Sequence, residues 1–105
     1  MMARDPLVLA QVKAVLEQIT QLAPGKSVEL RVPPYAAVQC VAGPKHTRGT
    51  PPNVVEMSAD TLFALIDGST TWEAARYEGA ISASGERSDL SELFERAAAT
   101  IRIAE

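Results

Sequence analysis

Residues Ser27 to Val32 read Ser-Val-Glu-Leu-Arg-Val, an unbroken alternation of polar and apolar side chains. In an extended chain successive side chains point to opposite faces. Val28, Leu30 and Val32 therefore share one face, and Ser27, Glu29 and Arg31 share the other. Such a strand is half-buried, and its apolar face needs a covering layer.

The surrounding sequence supplies that layer as helices. Asp5-Pro6 reads as an N-cap followed by proline at the first helical position. Leu9, Val12, Leu16 and Ile19 then recur at helical spacing until Pro24-Gly25 ends the run. After the alternating strand, Pro33-Pro34 breaks the chain and Tyr35 to Val41 reads as a second strand, suited to a sheet edge or bend. Gly43 to Pro52 is a loop rich in glycine and proline, and Asn53 to Met57 is a third strand. Ser58 caps a helix carrying Leu62, Phe63, Leu65 and Ile66, closed by Asp67-Gly68. Thr70-Thr71-Trp72-Glu73 fits a capping box with Thr70 as the cap. A short helix follows, then a fourth strand, Ala80 to Ser84. Ser88-Asp89 opens a last helix with the stripe Leu90, Leu93, Phe94, Ala97, Ala98 and Ile101. Strands and helices are segregated along the chain, which predicts an α+β fold with one sheet covered by helices.

The chain has 105 residues, which suits a single domain over residues 1–105. Its 47% apolar and 22% charged residues describe a globular protein with a core. The net charge of -3 argues against a nucleic-acid partner, which requires a broad basic face. Cys40 is the only cysteine, so no intrachain disulfide is expected, and it reads as a small buried hydrophobe. No apolar run approaches a membrane span, Met1 to Asp5 lacks the apolar block of a signal peptide, and the C-terminus is no address tag. A cytoplasmic location is the resulting expectation.

The densest polar cluster runs from Pro44 to Asn53 and contains Lys45, His46, Arg48, Thr50 and Asn53. Cationic forks in a proline-braced loop suit a carboxylate, phosphate or sulfate; a solvated connection explains the same residues. His46 is the only histidine and has no partner arrangement that would make it a catalytic base. One histidine and one cysteine make a zinc site improbable. Trp72 reads as core, or as the lining of a ligand entrance. Ser84 to Asp89 joins strand to helix but lacks the glycine and lysine spacing of a phosphate-binding loop, and Glu86 and Asp89 would repel an anion.

The order of elements from Asn53 to Gly85 resembles the sterol carrier protein-2 family. It runs strand Val54 to Met57, helix to Gly68, Trp72-Glu73-Ala74-Ala75, Glu78-Gly79, and strand Ala80 to Ser84. Arg31-Val32-Pro33-Pro34-Tyr35 and His46 to Asn53 resemble more specifically the family's bacterial ortholog branch. The resemblance implies a mixed sheet of about five strands, covered by helices around an apolar tunnel, whereas the residues themselves supply four strands. It also implies binding of a sterol, fatty acid, acyl-CoA or similar molecule, or a role as an accessory module; taken with the residues above, the expectation is a non-catalytic binding protein with no cofactor and no metal.

On that reading the apolar part of a ligand lies against Leu62, Phe63, Ile66, Trp72 and Phe94. Its anionic head meets Arg31, Lys45, His46 and Arg48, with Tyr35, Thr50 and Asn53 as further ligand contacts. The alternative is an accessory or homodimeric interaction module that uses the edge strand near Tyr35 to Val41 together with the loop that follows it. A third reading, an enzyme built on His46 with Arg48 and Thr50, has no defensible partner geometry.

Overall fold

The structure, a computed structural model, describes residues 5–43 and 53–104. Helix α1, Pro6–Leu22, starts where the sequence places it, with the Asp5 carboxylate accepting the Leu7 amide at 2.9 Å and Pro6 at the first helical position. It ends as the Ala23 amide donates back to Ile19 O. Strands β1, Val28–Val32, and β2, Ala36–Cys40, form an antiparallel hairpin around Pro33-Pro34, whose turn is closed by the Tyr35 amide donating to Val32 O. Strand β3, Asn53–Met57, lies parallel to β1 on its other side.

Helix α2, Ala59–Asp67, begins at Ser58, whose hydroxyl accepts the Thr61 amide, and stops at Gly68 in the left-handed region at φ 84°. Helix α3 is Trp72–Tyr77, strand β4 is Ile81–Ser84 and runs antiparallel to β3, and helix α4 is Ser91–Ala104. Among the described residues the sheet has four strands in the order β2-β1-β3-β4, against the five that the family resemblance implies.

Two local readings need correction. The cap of α3 is Thr71, not Thr70: the Thr71 hydroxyl accepts the Ala74 amide at 3.1 Å, and the Thr70 amide is already committed to Ala64 O. Glu73 then stands one position too early to reach back, and the capping box does not form. Helix α4 opens at Ser91 rather than Ser88-Asp89, because the Asp89 carboxylate accepts the Ser91 amide from outside the helix.

The register sets the two faces of the sheet. Val28, Leu30, Val32, Cys40, Val55, Met57 and Ile81 turn toward the helices and are buried. Arg31, Ala37, Gln39, Glu56, Ser82 and Ser84 turn the other way and are exposed. Helix α4 packs on both α1 and α2, and α1 also packs on β2. Val12, Leu16, Ile19, Leu62, Leu93, Phe94 and Ala97 join the buried strand residues in one core. The α1–β1 connection is held close to the end of β2. Ser27 bonds Val41 O through both its amide and its hydroxyl, at 3.0 Å and 2.8 Å. Gly25 lies so near that a Cβ there would fall 2.2 Å from Val41 O.

Candidate functional site

The apolar residues proposed for ligand contact come together. Leu62, Ile66, Trp72 and Phe94 belong to the buried core between sheet and helices, and Phe63 and Tyr35 pack against it, half-buried. The Trp72 and Phe94 rings lie 5.8 Å apart, tilted by 32°, within the range of a favourable aromatic pair. Trp72 is placed by the Thr71 cap, and Phe94 by the first turn of α4, where its amide donates to Leu90 O.

Of the polar residues proposed as ligand contacts, Arg31 and Asn53 stand apart from that set. Arg31 lies on the outer face of the sheet, across β1 from the apolar layer, and its guanidinium pairs with Glu29 on the same strand face. Asn53 is buried, with 3% of its surface exposed, and both ends of its amide are spent on backbone. Its Nδ2 donates to Ser27 O at 2.7 Å and its Oδ1 accepts the Arg87 amide at 2.9 Å. This pairing admits only one orientation of the amide, since a carbonyl accepts and an N–H donates. Asn53 therefore ties the start of β1 to the β4–α4 turn. Lys45, His46, Arg48 and Thr50 lie outside the described residues.

A groove opens over the aromatic pair. It has a volume of about 250 Å³ and runs between the C-terminal end of α2, the start of α3 and one stripe of α4. Its floor is Leu65, Trp72, Phe94 and Ala98; its rim carries Thr70, Thr71, Glu73, Ser91 and Glu95. A second, more open groove of about 400 Å³ lies on the other side of Trp72 and is lined by Glu73, Arg76, Ser88 and Asp89. The backbone amide of Ser91, then its side chain, and the nearby charge of Arg76 hold the Asp89 carboxyl below the usual carboxylate range. The sequence reading missed these rim residues. Ser91, Phe94, Glu95 and Ala98 do stand at helical spacing, but spacing alone does not say which stripe of a helix borders a groove.

Cys40 is fully buried and burial pushes its thiol up to about 11, so it is a core group and not a nucleophile. Among the described residues no cluster of histidine, cysteine, aspartate or glutamate could hold a metal ion.

The sequence matches the family described as bacterial SCP ortholog over residues 4–95. The chain belongs to that family. This bacterial SCP ortholog also shares its fold with a solved structure titled "UbiJ-SCP2 Ubiquinone synthesis protein", at a TM-score of 0.54 and 17% identity, covering 97% of this chain and 98% of that one. No curated protein matches it by sequence. The fold of this SCP ortholog is thus the mixed α+β arrangement of that relative, and no helix among its described residues is long and apolar enough to cross a membrane.

Proposed function

We propose that this domain binds a lipid or similar amphipathic molecule without transforming it, and that the apolar part of the ligand lies between the sheet and the helices against Leu62, Phe63, Ile66, Trp72 and Phe94. The observation that carries this reading is the groove floor. Leu65, Trp72 and Phe94 line the groove and are at the same time members of the core, so the groove borders the interior directly. Membership in the SCP family and the fold shared with the ubiquinone synthesis protein support the same role.

The energetics favour an apolar ligand. Burying a chain stabilises by about 0.8 kcal/mol per methylene, so ten carbons bring about 8 kcal/mol before the cost of parting the core. An exposed ion pair contributes under about 1 kcal/mol. The tail therefore sets affinity. Tyr35, half-buried at the hairpin turn, and Lys45, His46, Arg48 and Thr50 are further contacts in this proposal. Native mass spectrometry after mild purification, followed by titration with a fluorescent fatty acid, tests it. A co-purified lipid or saturable binding is expected; neither appearing refutes the reading.

One observation favours a second reading, self-association through a sheet edge. The β4 edge is guarded by α3 and by Arg76, whose Nη1 donates to Ala83 O at 3.3 Å. The β2 edge, Ala36–Cys40, carries no charged residue, and an edge strand without charges invites pairing. Light scattering on concentrated protein decides this, since a monomer throughout would remove it.

A further inference from the structure

The groove over Trp72 and Phe94 has a charge pattern that the lipid-binding reading does not by itself require. Its rim carries Glu73 and Glu95 and, among the described residues, no cation. Both glutamates are exposed, and neither forms an ion pair among the described residues. The neighbouring groove adds Asp89 and one cation, Arg76, which is engaged with Ala83 O. Together the two grooves set three carboxylates against one guanidinium. Hydroxyls stand beside the acids: Thr71 accepts the Ala74 amide through its oxygen and keeps its O–H to donate.

We propose that this groove is the mouth of the ligand site and that it selects a single-chain amphiphile with an uncharged, hydrogen-bonding head over one with an anionic head. The inference rests on the lipid-binding reading and adds the location and the head-group class. An anionic head would sit among carboxylates that outnumber the one described cation nearby, Arg76, and like charges at close range repel. A hydroxyl head can accept from the Thr71 O–H and donate to the glutamates, whereas a carbonyl head can only accept from Thr71. The groove's volume of about 250 Å³ is below the roughly 300–1,000 Å³ of typical small-molecule sites. It therefore accommodates the head and the first carbons, and the rest of the chain follows where the Trp72 and Phe94 rings part.

Trp72 is the only tryptophan in the chain, so tryptophan fluorescence reports on this residue and the two grooves that it borders. The test compares 6-bromododecan-1-ol with 6-bromododecanoate, whose bromine stays near the head and hence near Trp72, at pH 8, where a carboxylate is ionised. Trp72 quenching and calorimetry are read in parallel, on the full chain and on the double variant Glu73→Gln/Glu95→Gln. The alcohol is expected to quench Trp72 saturably and to bind about tenfold tighter than the carboxylate at low ionic strength, a margin that salt reduces. In the double variant the two probes should come within about twofold, because the repulsion has gone. An unchanged preference in the double variant, a carboxylate that binds the wild type as tightly as the alcohol, or calorimetric binding without quenching each overturns the inference and leaves the lipid reading intact. Binding of neither probe by either method removes both. Circular dichroism of the double variant establishes that it is folded.

Discussion

Replacing Asn53 by alanine should destabilise the domain more than any change at the exposed surface. The side chain is 3% exposed and makes two hydrogen bonds to backbone, at 2.7 Å to Ser27 O and 2.9 Å from the Arg87 amide. Each bond contributes about 1 kcal/mol net, and a buried partner left unpaired costs roughly 1–3 kcal/mol. The two partners differ in this respect. Ser27 is buried at 2% exposure, whereas Arg87 is an exposed residue whose amide can turn to water. The expected loss for Asn53→Ala is therefore about 2–3 kcal/mol. At a urea m-value of about 1.2 kcal/mol/M this lowers the unfolding midpoint by about 2 M, with m unchanged. Asn53→Asp is the sharper probe. It keeps the acceptor facing the Arg87 amide but sets an oxygen against Ser27 O, so at pH 7 it should be at least as destabilised as the alanine variant although no volume is lost. Its deficit should shrink at acid pH, where a protonated carboxyl can donate again and the folded state favours the neutral form. Urea titrations followed by circular dichroism measure all of this. A midpoint shift for Asn53→Ala below about 0.5 M, or wild-type stability for Asn53→Asp at pH 7, would refute the account of Asn53 as a two-ended brace.

Two further outcomes follow from the same region. Gly25→Ala places a Cβ 2.2 Å from Val41 O at φ 150°, so the backbone must shift and the Ser27–Val41 bonds must stretch. The cost is about 3 kcal/mol, a fall in melting temperature on the order of 10–20 °C, and a melting temperature near that of the wild type would contradict it. Cys40 should resist a thiol reagent at pH 8 in the native state and react once urea unfolds the chain, since its thiol is buried and held near 11, above the ordinary 9.0. Because the folded state raises this value, the stability it contributes is complete below pH 9 and declines toward pH 11; rapid labelling of native protein would show that the site is open.

Much of the fold is legible in the sequence because its signals are local. The Asp5 and Ser58 caps, the glycine stop at Gly68 and the strand Asn53–Met57 all lie where short-range chemistry puts them. The α3 cap shows the limit of such rules. Thr70 and Thr71 are equally good hydroxyl caps by type, and a hydrogen bond from Thr70 to the end of α2 decides between them. The alternation that buries Val32 also turns Arg31 outward, so the separation of Arg31 from the apolar layer was already present in the pattern of β1.

By itself the sequence determined the elements, their order, the apolar face of each and the family, because periodicity, caps and glycine stops act over a few residues. Only the tertiary structure decided that Asn53, 26 residues from Ser27 and 34 from Arg87, braces the backbone at both of them. It also decided which stripe of α4 meets α2 and α3 to leave a groove with an aromatic floor and an acidic rim. Pairing of residues distant in the chain depends on how whole elements dock, and docking is driven by apolar burial, which has no direction of its own. The groove over Trp72 and Phe94 comes from that docking, and it is where the function of this protein is best tested.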